Sequence, residues 1–379
     1  MKKKKKEKKI LYQLIFSAFL LFSNAYLVKA NSDILSQDST GKYCINTEQD
    51  YYNFIENIQN YNNKTVILCN DIDISDVPEA TSSFGGILNG KGHTITYASK
   101  EAKENIAVFP FRINDNGIVE NINVQIDESY AYNSETDEFQ TVFSRCDGIA
   151  KGITIKGNVT CIYDDEDTDV YIGAIEGNGT LMDSSIAITY DLQSEKTIEE
   201  IADDIVDNDL SFEFCQLGTI NTGITYQNCI GYGQYSEAIK SLADELEPKI
   251  KDNTWGYLCV SFTRKSFFST SASATNCYYD KENMPDIKIM SEYITNRDNN
   301  KEFPNYADFG KTTSEMKNQG TYEGFDFNKK WTISPEDNNG YPYYNPQTEE
   351  ITLKVQASTE PKVWSTSVPR DYNRFVDYA

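Results

Sequence analysis

The 379-residue chain has little histidine, few basic residues and no long apolar run after its first thirty residues. Its single histidine, His93, leaves any Ser-His or Cys-His nucleophile system with one candidate base. Lys and Arg number 35 against 58 Asp and Glu, a formal net charge of −23. A surface this acidic repels phosphate backbones and anionic lipids, so we expect neither nucleic acid nor an anionic membrane surface as partner.

The first residues have the pattern of an export signal. A basic segment from Lys2 to Lys9 precedes an apolar run from about Ile10 to Phe22, and small residues precede a cut after Ala30. We therefore expect a secreted, extracellular or cell-surface protein, with a retained N-terminal anchor as the alternative. The predicted organisation is a signal peptide (1–30), a cap with the first strands (31–75), a repeat region (76–282), an insertion with a terminal module (283–344) and a C-terminal tail (345–379).

The cysteines lack the close CxxC spacing of a zinc site. An even number in an exported chain permits up to four disulfides, in any of 105 pairings. Several cysteines stand among apolar residues, so buried thiols are an equal expectation. The eight are Cys44, Cys69, Cys146, Cys161, Cys215, Cys229, Cys259 and Cys277.

Glycines recur at a fixed interval. Gly117, Gly148 and Gly179 each begin a similar phrase, GIVENINVQI, GIAKGITIKG and GTLMDSSIAI, and the two intervals between these glycines are equal. A looser copy starts at Gly223, and an aromatic-containing strand precedes each copy. This period, combined with β-type alternation, predicts a solenoid of stacked strands. In the first copy we expect inward side chains at Ile118, Ile122, Val124 and Ile126.

The segment FGGILNGKGHTI, from Phe84 to Ile95, combines glycines with alternating apolar residues. Asn89-Gly90 predicts a strand, a hairpin-type turn and a second strand. Positive φ is expected at its glycines, and His93 is expected to hydrogen-bond the turn rather than perform acid-base chemistry.

Three helices are predicted within this β pattern. Thr47 begins a short helix before the first strands. Thr197 with Glu200 forms a capping box for a helix near 197–209, and Ser236 begins another near 236–250. Both later helices interrupt the repeat. We expect them to pack against the strands, with a groove for a partner as the alternative.

Four segments together resemble bacterial surface proteins of the GLUG type, which are filamentous-haemagglutinin-like β-helices. Residues 47–75 are similar to the family's opening helix and strand, and FGGILNGKGHTI to its F-x-G-x-x-x-G-x-G-H-x-I motif. The glycine-led phrases resemble its coils. NCYYDKE (276–282) and residues 311–344 resemble its terminal module.

The resemblance implies an all-β fold, a right-handed single-stranded parallel β-helix with an N-terminal helical cap and two or three inserted helices. We expect Trp331, Tyr341 and Pro342 to close the end of the apolar core, with an aromatic sugar platform as the alternative. The motif residues that it assigns a structural role are Gly86, Gly90, Gly92, His93, Trp331, Gly340, Tyr341 and Pro342.

Calcium is the one metal for which the sequence offers candidate ligands, and no other cofactor is predicted. Asp71 and Asp73 alternate with apolar residues, which places both carboxylates on one strand face. Asp165, Asp167 and Asp169 have the alternate spacing of a calcium loop but lack its glycine and distal glutamate. A solvated surface is the alternative in both places.

The function expected from these patterns is non-catalytic. We predict a monomer that acts in adhesion or extracellular interaction, with a glycan or a protein as its ligand. The first alternative is a polysaccharide-active β-helix enzyme, a lyase or glycoside hydrolase. The second is a passive structural spacer. Arg112 and Arg145 lie at similar offsets in successive phrases and are interpreted as a charged ladder rather than as catalytic groups.

Overall fold

The computed structural model is mostly β, and most of its strands pair in parallel. Within the residues it describes, no helix is long and apolar enough to cross a membrane. The described residues are 35–75, 77–78, 80, 82–98, 108–131, 140–163, 169–218, 223–251, 254–261, 273–285, 287–291 and 309–345.

The strands alternate between two sheets along most of the chain. They are β1 (Tyr43–Ile45), β2 (Thr65–Leu68), β3 (Ile72–Ile74), β4 (Ile87–Asn89), β5 (Thr94–Ala98), β6 (Phe109–Ile113), β7 (Ile118–Ala131), β8 (Gln140–Cys146), β9 (Ile149–Ile162), β10 (Val170–Gly177), β11 (Thr180–Met182), β12 (Ser185–Gln193), β13 (Ser211–Cys215), β14 (Thr225–Gln227), β15 (Ile230–Gly231), β16 (Gln234–Tyr235), β17 (Tyr257–Ser261), β18 (Ser273–Thr275), β19 (Tyr278–Asp280), β20 (Ile287–Ile289), β21 (Gly310–Lys311), β22 (Trp331–Thr332) and β23 (Tyr343–Tyr344).

A long sheet of 15 strands and a second sheet of six strands supply the main core. The second sheet has the order β20-β17-β13-β10-β8-β6, and it contains the four aromatic strands predicted to precede the glycine phrases. Its edge strand β20 is antiparallel to β17. The strands β22 and β23 form a third, two-stranded antiparallel sheet.

Many residues that pair in neighbouring strands of the long sheet are separated in sequence by the interval of the glycine phrases. Ile87 pairs with Ile118, Ile118 with Ile149, and Ile149 with Thr180. Asn89 and Glu120, which pair in the same register, are 31 residues apart in sequence. Later neighbours lie further apart, at 45 residues from Asp183 to Asn228 and 48 from Asn228 to Asn276. The register therefore continues although the sequence interval lengthens.

Stacked glycines mark one corner of each early repeat. A Cβ on Gly148 would lie 2.3 Å from the carbonyl oxygen of Gly117, and one on Gly179 would lie 2.2 Å from that of Gly148. Each of these glycines thus lets its repeat approach the backbone of the preceding repeat closely. The predicted start of the fourth copy, Gly223, is one residue too early. Thr180 pairs with Thr225, so the residue that stacks on Gly179 in the next repeat is Ile224.

Inward positions follow the prediction except at the first. Ile122, Val124 and Ile126 are buried, but Val119 rather than Ile118 enters the main core. Asn121, with a φ of 54°, turns the strand at this point. Such a corner shifts the alternation by one residue, which a uniform period of two does not anticipate.

The FGGILNGKGHTI segment is a corner and not a hairpin. β4 and β5 do not pair with each other, since each pairs in parallel with β7. Of the four glycines from Gly85 to Gly92, only Gly92 has positive φ. A Cβ on Gly86 would lie 2.4 Å from the Tyr61 carbonyl oxygen, so this glycine serves close approach instead.

The predicted helices are present. α1 (Glu48–Glu56) begins after Thr47, α2 (Ile198–Asp207) after the Thr197 capping box, and α3 (Glu237–Leu246) after Ser236. The apolar sides of all three enter the main core, as expected for packing. A fourth helix, α4 (Thr313–Met316), has its own capping box, and 3₁₀ turns span Ile58–Tyr61, Gln319–Thr321 and Asn338–Gly340.

Both expected states of cysteine occur. Cys44 and Cys69 form a disulfide between β1 and the end of β2, with Cα atoms 5.8 Å apart. The other six are buried thiols. Burial raises the pKa of the Cys146 thiol to about 12, so this group stays protonated at neutral pH.

Candidate functional site

Three rows of outward side chains cross the long sheet, and we call them together the open face. Side chains that alternate with the buried residues of β5, β7, β9 and β12 form these rows. The first row is Asp71, Thr94, Asn123, Thr154 and Ser185; the second is Asp73, Thr96, Gln125, Lys156 and Ala187; the third is Ala98, Asp127, Asn158, Thr189 and Gln234.

The spacing of the open face is fixed by the backbone. Neighbours within a row lie about 4.8 Å apart, and rows are separated by about 7 Å, because they are two residues apart along each strand. Gln125, Asp127 and Asn158 are exposed, and Thr96 and Thr189 are half-buried. Thr154 and Ser185, at the end of the first row, are buried. The face therefore presents amides, hydroxyls and a few charges in a regular array.

Lys156 is the cation of the open face. It is half-buried, and among the ion pairs of the described residues none includes it. Burial lowers the pKa of its ammonium group. Asp127, the nearest carboxylate by register, is a diagonal neighbour at about 7 to 8 Å between backbones.

The second row ends in an aromatic pair. The Tyr232 N–H donates to the Ile186 carbonyl at 3.1 Å, which continues the register so that Tyr232 follows Ala187. Its ring stacks on Tyr341 with centroids 4.4 Å apart. Because the Ala187 side chain is a single methyl group, the row has a step between Lys156 and the Tyr232 ring.

Residues 309–345, which contain the predicted closing segment 311–344 and are called the terminal module from here on, cover the long sheet at Ile230 and Tyr278. Trp331, Tyr341 and Tyr344 belong to a second apolar cluster that also includes Ile230 and Tyr278, outward residues of the sheet. The expectation that Trp331, Tyr341 and Pro342 close the end of the main core is therefore wrong. Alternation places Ile230 and Tyr278 on the outside of the sheet, and the module packs there.

A buried carboxylate joins the module to the sheet. Asp280 Oδ2 accepts hydrogen bonds from the Tyr341 hydroxyl at 2.6 Å, the Thr313 hydroxyl at 2.7 Å and the Asn283 amide at 2.9 Å. Its Oδ1 accepts from the backbone N–H of Glu282 at 3.0 Å. Burial, together with Asp280, raises the pKa of Tyr341, which keeps this donor protonated. The segment around Asp280 and the closing segment, which the sequence grouped as one module, thus meet here.

A polar column runs beneath the module. Asp183, Asn228 and Asn276 occupy one corner of successive repeats with φ between 49° and 52°. The Asn228 amide donates to Asp183 at 2.9 Å and the Asn276 amide donates to Asn228 at 3.3 Å. Lys330 of the module lies 3.4 Å from the Asp183 carboxylate. Gly324 is packed so closely that a Cβ would lie 2.1 Å from the Asn276 amide.

His93 contacts a carboxylate of the preceding repeat. Its Nδ1 lies 3.0 Å from Asp71 Oδ1, which also accepts from the Thr94 N–H at 2.9 Å. The Thr94 hydrogen bond and His93 together lower the pKa of Asp71. His93 hydrogen-bonds the turn through its backbone N–H, which donates to the Gly90 carbonyl at 2.8 Å, whereas its ring contacts Asp71. Asp71 precedes His93 by 22 residues, so the interval of the glycine phrases does not reveal the pair.

The two candidate calcium sites differ in what the structure describes. Asp71 and Asp73 lie on one exposed face, as predicted. In the described part of the chain no three His, Cys, Asp or Glu residues are grouped to hold a metal ion, so this pair has no third ligand of that kind. Asp165 and Asp167 lie outside the described residues. Asp169 accepts from the Ser211 N–H at 2.6 Å and the Tyr171 hydroxyl at 3.1 Å.

Arg112 and Arg145 form the predicted ladder. They are register partners in β6 and β8 and share Asp147 Oδ2, at 2.6 Å and 3.0 Å from their Nε atoms. Asp147 Oδ1 accepts from the Asn178 N–H at 3.1 Å. Burial would raise the pKa of Asp147, but Arg145 and Arg112 outweigh it and lower the value. This cluster ties three successive repeats together.

Comparisons with protein-family models, with curated proteins and with solved structures gave no match for this chain.

Proposed function

We propose that this chain is a secreted or cell-surface, right-handed single-stranded parallel β-helix of the GLUG type that acts by binding an extracellular glycan or protein. The parallel register, the stacked corner glycines and the two sheets around one core support the solenoid. The terminal module, packed on the NCYYDKE segment through Asp280, supports the family likeness. The role is adhesion or interaction without catalysis.

The open face is the observation that carries this function. Its exposed amides and half-buried hydroxyls stand at fixed intervals on β5, β7, β9 and β12. Rigid strands hold them in place, so binding costs little ordering of the protein. The long sheet at Ile230 and Tyr278 lies under the terminal module. A ligand that hydrogen-bonds along the second row is the best fit to this geometry.

An array of glycans and extracellular-matrix proteins tests the proposal, run with calcium and with chelator. We expect saturable binding that the double variant Gln125→Ala with Asn158→Ala weakens about tenfold, through loss of two polar contacts. The matched control is Gln49→Ala with Asn60→Ala, two exposed residues near the N-terminus. Equal loss in both double variants would remove the open face as the site. Silence on every ligand would leave the passive spacer.

The Asp71–His93 pair favours one alternative, an enzyme acting on polysaccharides. A carboxylate on Nδ1 orients an imidazole so that Nε2 can exchange a proton. Hydrolysis or elimination on pectins, alginates or glycosaminoglycans, followed as new reducing ends or unsaturated products, would reveal this activity. It should disappear in His93→Gln. Activity that persists in His93→Gln would exclude this pair as its source.

A further inference from the structure

We propose that the ligand is an otherwise neutral glycan with one acidic sugar, whose anionic group binds Lys156 while its ring occupies the step above Ala187 beside Tyr232. This inference rests on the proposed function, because it specifies the ligand of the open face. The inference depends on three features of the open face: Lys156, which is outside the ion pairs of the described residues, the space above Ala187, and the ring of Tyr232.

Lys156 is the first element. Its neighbours in the row are Gln125 and Ala187, neither of which is charged. Its half-buried ammonium group has lost part of its water without gaining a carboxylate from the described residues. By contrast, Lys330, Lys249 and Lys196 each have an acidic partner within 4 Å. An incoming anion would complete the interactions of Lys156 at a small further cost of desolvation.

The charge of the whole chain limits how acidic the ligand can be. With a formal net charge of −23, the protein repels a polyanion over distances up to about a Debye length, ~8 Å at physiological salt. On the open face, Asp127 lies diagonally to Lys156 and Asp73 lies at the far end of the row. These charges disfavour a ligand with one acid in every unit. A single acidic sugar within a neutral chain satisfies Lys156 and avoids both carboxylates.

The step at Ala187 supplies space and shape. Ala187 is half-buried between the longer side chains of Lys156 and Tyr232, about 4.8 Å to either side. The Tyr232 ring is held by its stack on Tyr341 and by the Asn338 amide, which donates to its hydroxyl at 2.9 Å. A fixed aromatic ring next to hydrogen-bonding groups suits a sugar, which has apolar C–H faces and polar edges.

The test compares matched oligosaccharides on the full chain by titration calorimetry. One ends in galacturonic acid, one carries a sulfated galactose and one ends in neutral galactose, so that the arms distinguish carboxylate from sulfate. We expect an acidic form to bind about tenfold more tightly than the neutral form, the gain of one charge-assisted hydrogen bond. Lys156→Gln should erase this difference, and Lys156→Arg should keep most of it.

Two further variants locate the site. Ala187→Leu fills the step and should weaken the acidic and the neutral ligand alike. Lys251→Gln removes an exposed lysine that lines a cleft together with Lys288 and Ser291, and it should not change binding of either ligand. Loss of binding in Lys251→Gln instead of Lys156→Gln would overturn the assignment. Equal affinity for acidic and neutral ligands, still sensitive to Gln125→Ala, would overturn this inference alone, whereas no binding at all would overturn the proposed function with it.

Discussion

Two regions of the long sheet differ in sequence spacing and in what covers them. In the regular region, residues 84–193, neighbours in the register such as Asn89 and Glu120 are 31 residues apart, and outward residues such as Asn123 are polar. In the interrupted region, residues 194–291, neighbours such as Asn228 and Asn276 are 48 residues apart. There the outward Ile230 and Tyr278 are apolar and buried by the terminal module.

The difference shows that strand register and the contacts of the sheet surface depend on different parts of the sequence. Backbone pairing continues through both regions, so the inserted helices α2 and α3 lengthen the sequence interval without changing the register. Outward side chains decide what each stretch of sheet contacts. Along the first row, the half-buried Thr94 gives way to the buried Thr154, Ser185 and Ile230, and over this stretch the surface passes from an open face to an internal interface.

Removing the central ring of the terminal module should have the largest effect on this contrast. Trp331 is 2% exposed and packs 4.6 Å from the Phe325 ring centroid. We expect Trp331→Ala to lower the free energy of unfolding of the module by about 3–5 kcal/mol, from lost burial and a cavity. Limited proteolysis and hydrogen exchange would report this as opening within residues 309–345.

Trp255→Ala is the control for that change, because Trp255 is 45% exposed. It should alter stability by less than about 0.5 kcal/mol. If Trp331→Ala lost protection evenly over β7 and β9 as well, the module and the regular region would be one cooperative unit, and the distinction between the two regions would fail.

Filling the glycine corner should destabilise the regular region. A Cβ on Gly148 would lie 2.3 Å from the Gly117 carbonyl oxygen, and backbone cannot move aside as a side chain can. We expect Gly148→Ala to cost about 1–3 kcal/mol in chemical unfolding. Gly320→Ala, whose nearest neighbour would be the Asn318 side chain at 3.3 Å, is the control and should cost less. Equal costs would show that the corner tolerates a methyl group.

Sequence alone predicted the regular region better than the interrupted one. The interval from Gly117 to Gly148 became strand register, and the capping residues at Thr197 and Ser236 began helices. Ile118 was misassigned because the left-handed Asn121 shifts the alternation. Gly223 was misassigned because an inserted helix lies between it and Gly179. The interval of the glycine phrases therefore does not predict which residues pair there.

Of the second row of the open face, the sequence predicted only the residue at one end, Asp73. Asp73 was recognised as an exposed carboxylate, but Gln125, Lys156 and Ala187 were not placed in its row. The signal was available, since the last three are separated in sequence by the interval of the glycine phrases. Tyr232 could not be found in this way, because the insertion before it breaks the interval, and its stack on Tyr341 depends on tertiary packing.

An acid titration would measure how much the charge of Asp147 stabilises the second sheet in the regular region. The pKa of Asp147 is lowered, because Arg145 and Arg112 outweigh its burial. Its stabilising contribution is therefore complete above the unfolded value, about pH 4, and is lost as pH falls through the lower folded value. We expect Asp147→Asn to cost about 1–2 kcal/mol at pH 7 and progressively less below pH 4. A cost that does not change with pH would point to packing rather than charge.

The smallest effect should come from the open face itself. Gln125 is exposed, and its neighbours along the row are Thr96 and Lys156. Gln125→Ala should change the free energy of unfolding by less than about 0.5 kcal/mol, because no buried contact is lost. Thermal and chemical unfolding would measure this. Since the same substitution is expected to weaken ligand binding, a residue that matters for binding and not for stability would distinguish the open face from the covered sheet at Tyr278. A loss above about 1 kcal/mol would instead give Gln125 a structural role, and the face could no longer be treated as a surface free to serve a ligand.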